Sequence, residues 1–276
     1  MDPRRKVLIT PAALAAMLDG GTPVSLLANR NGSEDWAASP RIPGAVDVDL
    51  PTELASPGGG TRGSRPLPNI ADLTHAARRW GLRPGVPVVV YDHDRGLVAA
   101  RGWWVLRWAG IADVRLLDGG FAAWQAAGLP VVAVPGTPAP GGVALSAGHL
   151  PVLDADGAAA MARDGLLLDS RVRVNYIGGP GEPRRGHIPG AVSAPAADVL
   201  TEAGTFADPD TVRHLYATLG ADGTRAIGVT CGAGISAAHS VLALASIGVT
   251  AAMFPGSWSA WSADPGRPVV IGGLPG

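Results

Sequence analysis

Cys231 is the single cysteine among 276 residues, and it opens the run Cys231-Gly232-Ala233-Gly234-Ile235-Ser236. An apolar stretch, 226–230, precedes it, and residues 237–245 follow with the composition of a helix. The order reads as strand, tight loop, helix. A sulfur at the head of such a loop faces unpaired backbone N–H groups and the positive end of a helix dipole, which favour thiolate over thiol. Gly232 and Gly234 let the main chain curl round an anion without Cβ restrictions. The plain alternative is a buried, inert cysteine packed as a small apolar side chain.

Other chemistries for the loop fail on residue type. A cysteine phosphatase loop needs an arginine six positions on to grip phosphate, and that position holds Ala237. His239 is available in sequence as a base but falls on the following helix, where a structural or surface role is expected. The six histidines, His75, His93, His149, His187, His214 and His239, show no pairing at metal-ligand spacing. There is no phosphate-binding Walker loop, and Gly178-Gly179-Pro180-Gly181 lacks the strand–helix context of a dinucleotide fingerprint. No metal and no organic cofactor is expected.

The elements that must position the loop occur twice. Arg41-Ile42-Pro43-Gly44-Ala45-Val46 recurs as His187-Ile188-Pro189-Gly190-Ala191-Val192. Asp118-Gly119-Gly120-Phe121-Ala122-Ala123-Trp124 is paralleled by Pro255-Gly256-Ser257-Trp258-Ser259-Ala260-Trp261. Short apolar runs at 24–28 and 166–169, helices over 70–80 and 210–219, strands at 86–91 and 226–230, and helices over 97–108 and 237–246 follow one order. Short continuous apolar strands alternating with helices predict an α/β fold of two tandem domains, each a mostly parallel sheet flanked by helices. The repeat is too long for a solenoid, so the domain is duplicated. The expected division is 1–134, a Pro/Gly-rich surface linker over 135–150, and 151–276. Cys231 falls at the carboxyl end of a strand, where ligand sites of such sheets form. The matching strand end in the first half carries Asp92, so only the second half has a nucleophile.

Composition bounds the rest. Hydrophobic residues make up 47% and charged residues 16%, enough for real cores, and 39 glycines with 25 prolines imply many turns between short elements. A net charge of −1 argues against nucleic acid or an anionic membrane as partner. No run approaches the ~18 apolar residues of a membrane span. A lone cysteine fits a reducing compartment, and a cytoplasmic location is expected. Arg4-Arg5-Lys6 followed by 7–18 imitates a secretory signal. Thr10-Pro11 reads instead as a helix cap with proline at the first helical position, and Asp19-Gly20-Gly21 as a stop, which predicts an ordinary amphipathic helix.

The duplicated halves, His187-Ile188-Pro189-Gly190-Ala191, Gly256-Ser257-Trp258-Ser259-Ala260-Trp261, Ala100-Arg101-Gly102-Trp103-Trp104 and Leu117-Asp118-Gly119-Gly120-Phe121 resemble the two-domain rhodanese family of sulfurtransferases. The resemblance covers essentially the whole chain. With Gly232 after the cysteine, the loop is similar to that of the 3-mercaptopyruvate sulfurtransferases rather than to the Cys-Arg-x-Gly loop of the thiosulfate enzymes. It implies that Cys231 takes sulfane sulfur from 3-mercaptopyruvate or thiosulfate, holds it as a persulfide within the 232–236 loop, and yields it to cyanide or a thiol, a protein thiol included. The first domain is then non-catalytic. The family's donor-binding motifs fall on Asp169-Ser170-Arg171-Val172-Arg173-Val174-Asn175-Tyr176 and Glu182-Pro183-Arg184. Arg184 matches a substrate-carboxylate arginine, whereas Asn175 replaces the other and carries no charge. Arg173 and Arg171 are further candidates, Arg171 equally for structural contacts at the strand end.

Two departures bear on turnover. Ala233 stands where the mercaptopyruvate enzymes often carry Ser or Thr, and Ser64-Arg65-Pro66 offers no histidine to accompany Asp49, which matches a family aspartate. Thiosulfate as main donor, or a persulfide carrier with little turnover on small donors, are the alternatives. Trp103, Trp104 and Trp108 share one helix, with Trp104 and Trp108 at packing distance i, i+4. Trp258 is expected beside the active loop, Trp36 in the loop before Arg41, and Asp118 as a cap for a helix from Gly120.

Overall fold

Runs of four apolar residues become strands here because both of their faces are covered, the setting that parallel sheets require. The computed structural model describes residues 2–32, 39–179 and 185–276. One sheet contains β1 (Leu8–Ile9), β2 (Ser25–Arg30), β3 (Val46–Asp49), β4 (Val88–Tyr91) and β5 (Val114–Leu117) in the order β1-β5-β4-β2-β3. The other contains β6 (Leu166–Asp169), β7 (Val192–Ser193), β8 (Ile227–Thr230) and β9 (Ala252–Met253) in the order β7-β6-β8-β9. Every neighbouring pair is parallel, and β4, β6 and β8 are buried throughout. The α/β architecture of two parallel sheets with helices is therefore observed.

Duplication extends to single bonds. The order β5-β4-β2-β3 repeats as β9-β8-β6-β7, and a parallel bridge from Val152 to Met253 takes the place that β1 holds beside β5. Antiparallel bridges join Arg41 to Val132 in the first unit and His187 to Val270 in the second.

The first unit comprises Met1–Ser56, Leu67–His149 and Thr201–Phe206, and the second Pro57–Pro66, Leu150–Leu200 and Ala207–Gly276. Each therefore includes a short segment from the other half of the sequence, which the expected 1–134 and 151–276 ranges do not contain. Much of the 135–150 stretch runs along the first unit. Gly136 N–H donates to the Ala45 carbonyl at 2.7 Å, Gly141 to Arg78 at 2.7 Å and His149 to Trp108 at 3.1 Å. Arg78 and Trp108 lie in the last turns of the helices Ile70–Arg79 and Leu97–Trp108, whose carbonyls lack partners within the helix.

Helix ends follow local chemistry. Thr10 caps Pro11–Asp19 by accepting the Ala13 N–H at 3.2 Å. The residues just before it are not helical but form β1, since pairing with β5 buries Leu8 and Ile9. Asp118 does not cap the helix Gly120–Ala126; the left-handed Gly119 holds that place, one residue later. Asp118 instead accepts the Phe206 N–H at 2.8 Å and Arg4 Nη2 at 3.0 Å. Trp104 and Trp108 stack at 6.3 Å within the core, as their spacing predicts. A buried indole of this kind removes roughly 200 Å² from water, about 5 kcal/mol before ordering costs.

Candidate active site

Strand β8 ends at Thr230, and the chain leaves the sheet at Cys231, whose side chain is buried. Gly234, left-handed at φ +73, turns its N–H back onto the Cys231 sulfur at 3.0 Å. The helix Ser236–Ser246 starts two residues later, so Sγ sits before a helix N-terminus with an amide donor on it. Gly232, Ala233, Ile235 and Ser236 are half-buried and Gly234 is buried. The loop is thus a real turn round the sulfur, as its residues predict.

A second turn clamps the loop from outside. Strand β9 leads to the short helix Ser257–Trp261, whose first amides point at the loop: Trp258 N–H donates to the Cys231 carbonyl at 2.8 Å and Ser259 N–H to the Gly232 carbonyl at 2.9 Å. Ser257, fully buried, accepts the Cys231 N–H at 3.2 Å and lies 3.7 Å from Sγ, while its hydroxyl donates to the Phe254 carbonyl at 2.8 Å. Ser259 also holds the Pro57–Pro66 segment, accepting the Ser64 N–H at 2.9 Å. A Cβ at Gly63 would fall 2.6 Å from the Gly256 carbonyl oxygen, so that approach requires glycine.

Trp258 borders the active loop, as expected, and carries the Arg171 guanidinium 4.7 Å over its ring. Arg171 is itself buried. Its Nε contacts both Asp169 oxygens, at 2.9 and 3.0 Å, and Nη2 donates to Asp169 and to the Gly186 carbonyl at 2.6 Å. The cation therefore ties the end of β6 to Trp258 and to the start of the His187 motif. Arg173 and Asn175 are exposed on the helix Arg173–Ile177, and two positions along a helix point them to different sides. Tyr176 and His187 stack at 3.8 Å and hold the flanks of the segment that carries Arg184; Arg184 lies outside the described residues, as does Trp36.

His239 is fully buried in the helix Ser236–Ser246, where burial pushes its pKa down to about 4. Asp49 bonds within the first unit, accepting the Gly32 N–H at 3.1 Å and the Thr52 hydroxyl. Among the described residues no three His, Cys, Asp or Glu side chains converge as a metal site, and no helix is long and apolar enough to cross a membrane. Ser257 was not singled out by sequence reasoning; the available signal was its place opposite Gly120 in the repeat.

At the strand end matching Cys231, Asp92 fills the equivalent turn with its own carboxylate. One oxygen accepts the N–H groups of Asp94 and Gly96, both at 2.8 Å, and the other accepts Ala99 at 2.7 Å. The loop amides that could hold an external anion are thereby taken.

In one unit a parallel sheet ends in a cysteine loop with a backbone amide on its sulfur; in the other the matching loop is closed by aspartate. Comparison with known proteins gives the family: the rhodanese-like domain model matches residues 10–127 and again 154–264. The chain is 44% identical to "Putative thiosulfate sulfurtransferase SseB" of Mycobacterium tuberculosis over 284 residues, 99% of each protein. It is 32% identical to human 3-mercaptopyruvate sulfurtransferase over 231 residues, 80% of this chain and 76% of that one. The crystal structure of the 3-mercaptopyruvate sulfurtransferase SseA from Escherichia coli superposes with a TM-score of 0.79 at 25% identity, covering 91% of this chain and 98% of that one. The chain belongs to the rhodanese family, carries two rhodanese-like domains, and is a sulfurtransferase.

Proposed function

We propose that Cys231 is the sulfur carrier and that the donor is 3-mercaptopyruvate or thiosulfate. The observation that carries this reading is the Gly234 N–H set 3.0 Å from Sγ, an amide donor placed where the sulfur's negative charge has to be held. With thiosulfate, the thiolate attacks the outer sulfur, the S–S bond breaks, and sulfite leaves with the electron pair. With 3-mercaptopyruvate, the thiolate takes the thiol sulfur, the C–S pair becomes the pyruvate enolate, and the donor's S–H proton goes to that carbon. Either route leaves a Cys231 persulfide. Cyanide or a thiolate then attacks the outer sulfur and regenerates the thiolate, so no redox cofactor is needed.

In this reading Arg184, by its motif, is the donor-binding arginine, the exposed Arg173 and Asn175 are further candidates, and Arg171 holds Trp258 against the loop. Gly232, Ala233, Gly234, Ile235 and Ser236 form the cradle. The M. tuberculosis relative bears a thiosulfate name and the human and E. coli proteins a mercaptopyruvate name, so both donors enter the test. Intact mass after exposure to each donor should rise by one sulfur, about 32 Da. Cys231→Ser should abolish both the gain and turnover. A variant that keeps full activity removes the proposal, and the ratio of kcat/KM values names the donor.

A further inference from the structure

The two units provide a control within one chain. After β5 and after β9 the main chain makes the same turn: Phe121 N–H donates to the Asp92 carbonyl at 2.9 Å, and Trp258 N–H to the Cys231 carbonyl at 2.8 Å. The residue before each donor is left-handed, Gly120 at φ +59 and Ser257 at φ +53. Glycine adopts that conformation freely and serine does not. A Cβ at Gly120 would also fall 2.8 Å from the Asp92 carbonyl oxygen, so the turn itself favours glycine. Arg95, the other described non-glycine residue with positive φ, is exposed, whereas Ser257 is fully buried. The half without a thiol has glycine; the half with it retains a strained serine whose hydroxyl touches the cysteine. Buried strain of this kind calls for a functional account.

The hydroxyl has one proton and two acceptor sites. The proton points to the Phe254 carbonyl at 2.8 Å, one lone pair takes the Cys231 N–H at 3.2 Å, and Sγ lies 3.7 Å away. We propose that Ser257 is a catalytic residue whose hydroxyl rotates with the charge on sulfur. Against the thiol it donates to Phe254 and accepts the S–H. When that proton passes to water, the hydroxyl turns its own proton from the Phe254 oxygen onto the thiolate. One O–H···O bond is exchanged for one O–H···S⁻ bond, and no covalent bond of serine changes.

Among the described residues, the ionisable groups of β6 and of the following helix do not do this work instead. Asp169 and Arg171 at the end of β6 neutralise each other, and His239 in the following helix is neutral at working pH, its value held near about 4 by burial. Among the described residues the donors directed at sulfur are the Gly234 N–H and, after rotation, Ser257. The proposal rests on Cys231 as sulfur carrier, so its test is made to read the thiol alone.

Alkylation of Cys231 by iodoacetamide, followed by mass from about pH 5.5 to pH 10, needs no sulfur donor. Ser257→Gly keeps the left-handed backbone and removes the whole hydroxymethyl group, whereas Ser257→Ala removes the hydroxyl alone. Ser257→Gly should move the rate profile up by about one pH unit, slowing alkylation at neutral pH about tenfold, with thermal stability no lower than that of the wild type. Ser257→Ala should move the profile in the same direction, and kcat should fall in both while KM holds. A Ser257→Gly profile that overlies the wild type overturns the proposal. A shifted profile in a protein that never gains sulfur mass keeps the serine's effect on the thiol but sinks the sulfur-carrier reading.

Discussion

His239 and Ser257 are both fully buried in the elements that follow the sulfur-bearing strand, yet they answer pH differently. Ser257 does not titrate, and its left-handed backbone costs about 1–2 kcal/mol of stability that Ser257→Gly should return. His239 titrates, and burial holds it at about 4 against an ordinary 6.5. Between those values the unfolded chain binds a proton that the folded chain refuses. Stability is therefore full above about pH 6.5 and falls as pH drops toward 4, by roughly 3 kcal/mol in all. Burial raises Asp92 and Asp118, which bind protons more readily folded than unfolded and so act in the opposite sense. The comparison must then be a difference between two proteins. Subtracting urea unfolding of His239→Leu from that of the wild type should leave a slope between pH 4 and 6.5 and none above 7. Parallel curves across that window would show that the imidazole is already neutralised in some other way.

At the scale of elements, one strand–loop–helix unit is built twice with different side chains at its head. In the second unit the loop amide of Gly234 meets a sulfur; in the first, three amides close on the Asp92 carboxylate. An internal carboxylate is stability taken from a binding site: the loop is rigid, satisfied and closed to ligands. Asp92→Ala removes the acceptor and leaves the N–H groups of Asp94, Gly96 and Ala99 round a vacated, largely buried position. An orphaned buried donor costs about 1–3 kcal/mol, and partial rescue by water brings the sum for three to about 3 kcal/mol. Calorimetry of Asp92→Ala should show a transition lowered accordingly, with sulfur loading of Cys231 unchanged. Loss of loading at full stability would mean that the first loop takes part in the reaction.

The whole molecule shows what a single sequence makes legible. Strands β6 and β8, the helix Leu97–Trp108, the cap at Thr10 and the cysteine loop all rest on patterns within a few residues, and each is found at or within a residue or two of its expected place. The stacking of Arg171 over Trp258, the bond from Asp118 to Phe206 and the clamp of Ser257 on Cys231 depend on chain segments brought together by the fold. No periodicity encodes them. The same holds for the composition of the two units, where repeat spacing suggested contiguous halves. Instead Thr201–Phe206 belongs to the first unit through Asp118 and Arg4, and Pro57–Pro66 to the second through Gly63 and Ser64. Each half of the sequence thus lacks a piece that its own unit uses, and for the second unit that piece presses on the helix that clamps Cys231. Expressed alone, residues 150–276 should load sulfur at least tenfold more slowly than the full chain, because the Ser257–Trp261 helix loses its outer support. Co-expression with 1–149 should restore loading. A fragment 150–276 that loads at the full-chain rate by intact mass would show that the 57–66 segment packs on the second unit without shaping its active loop.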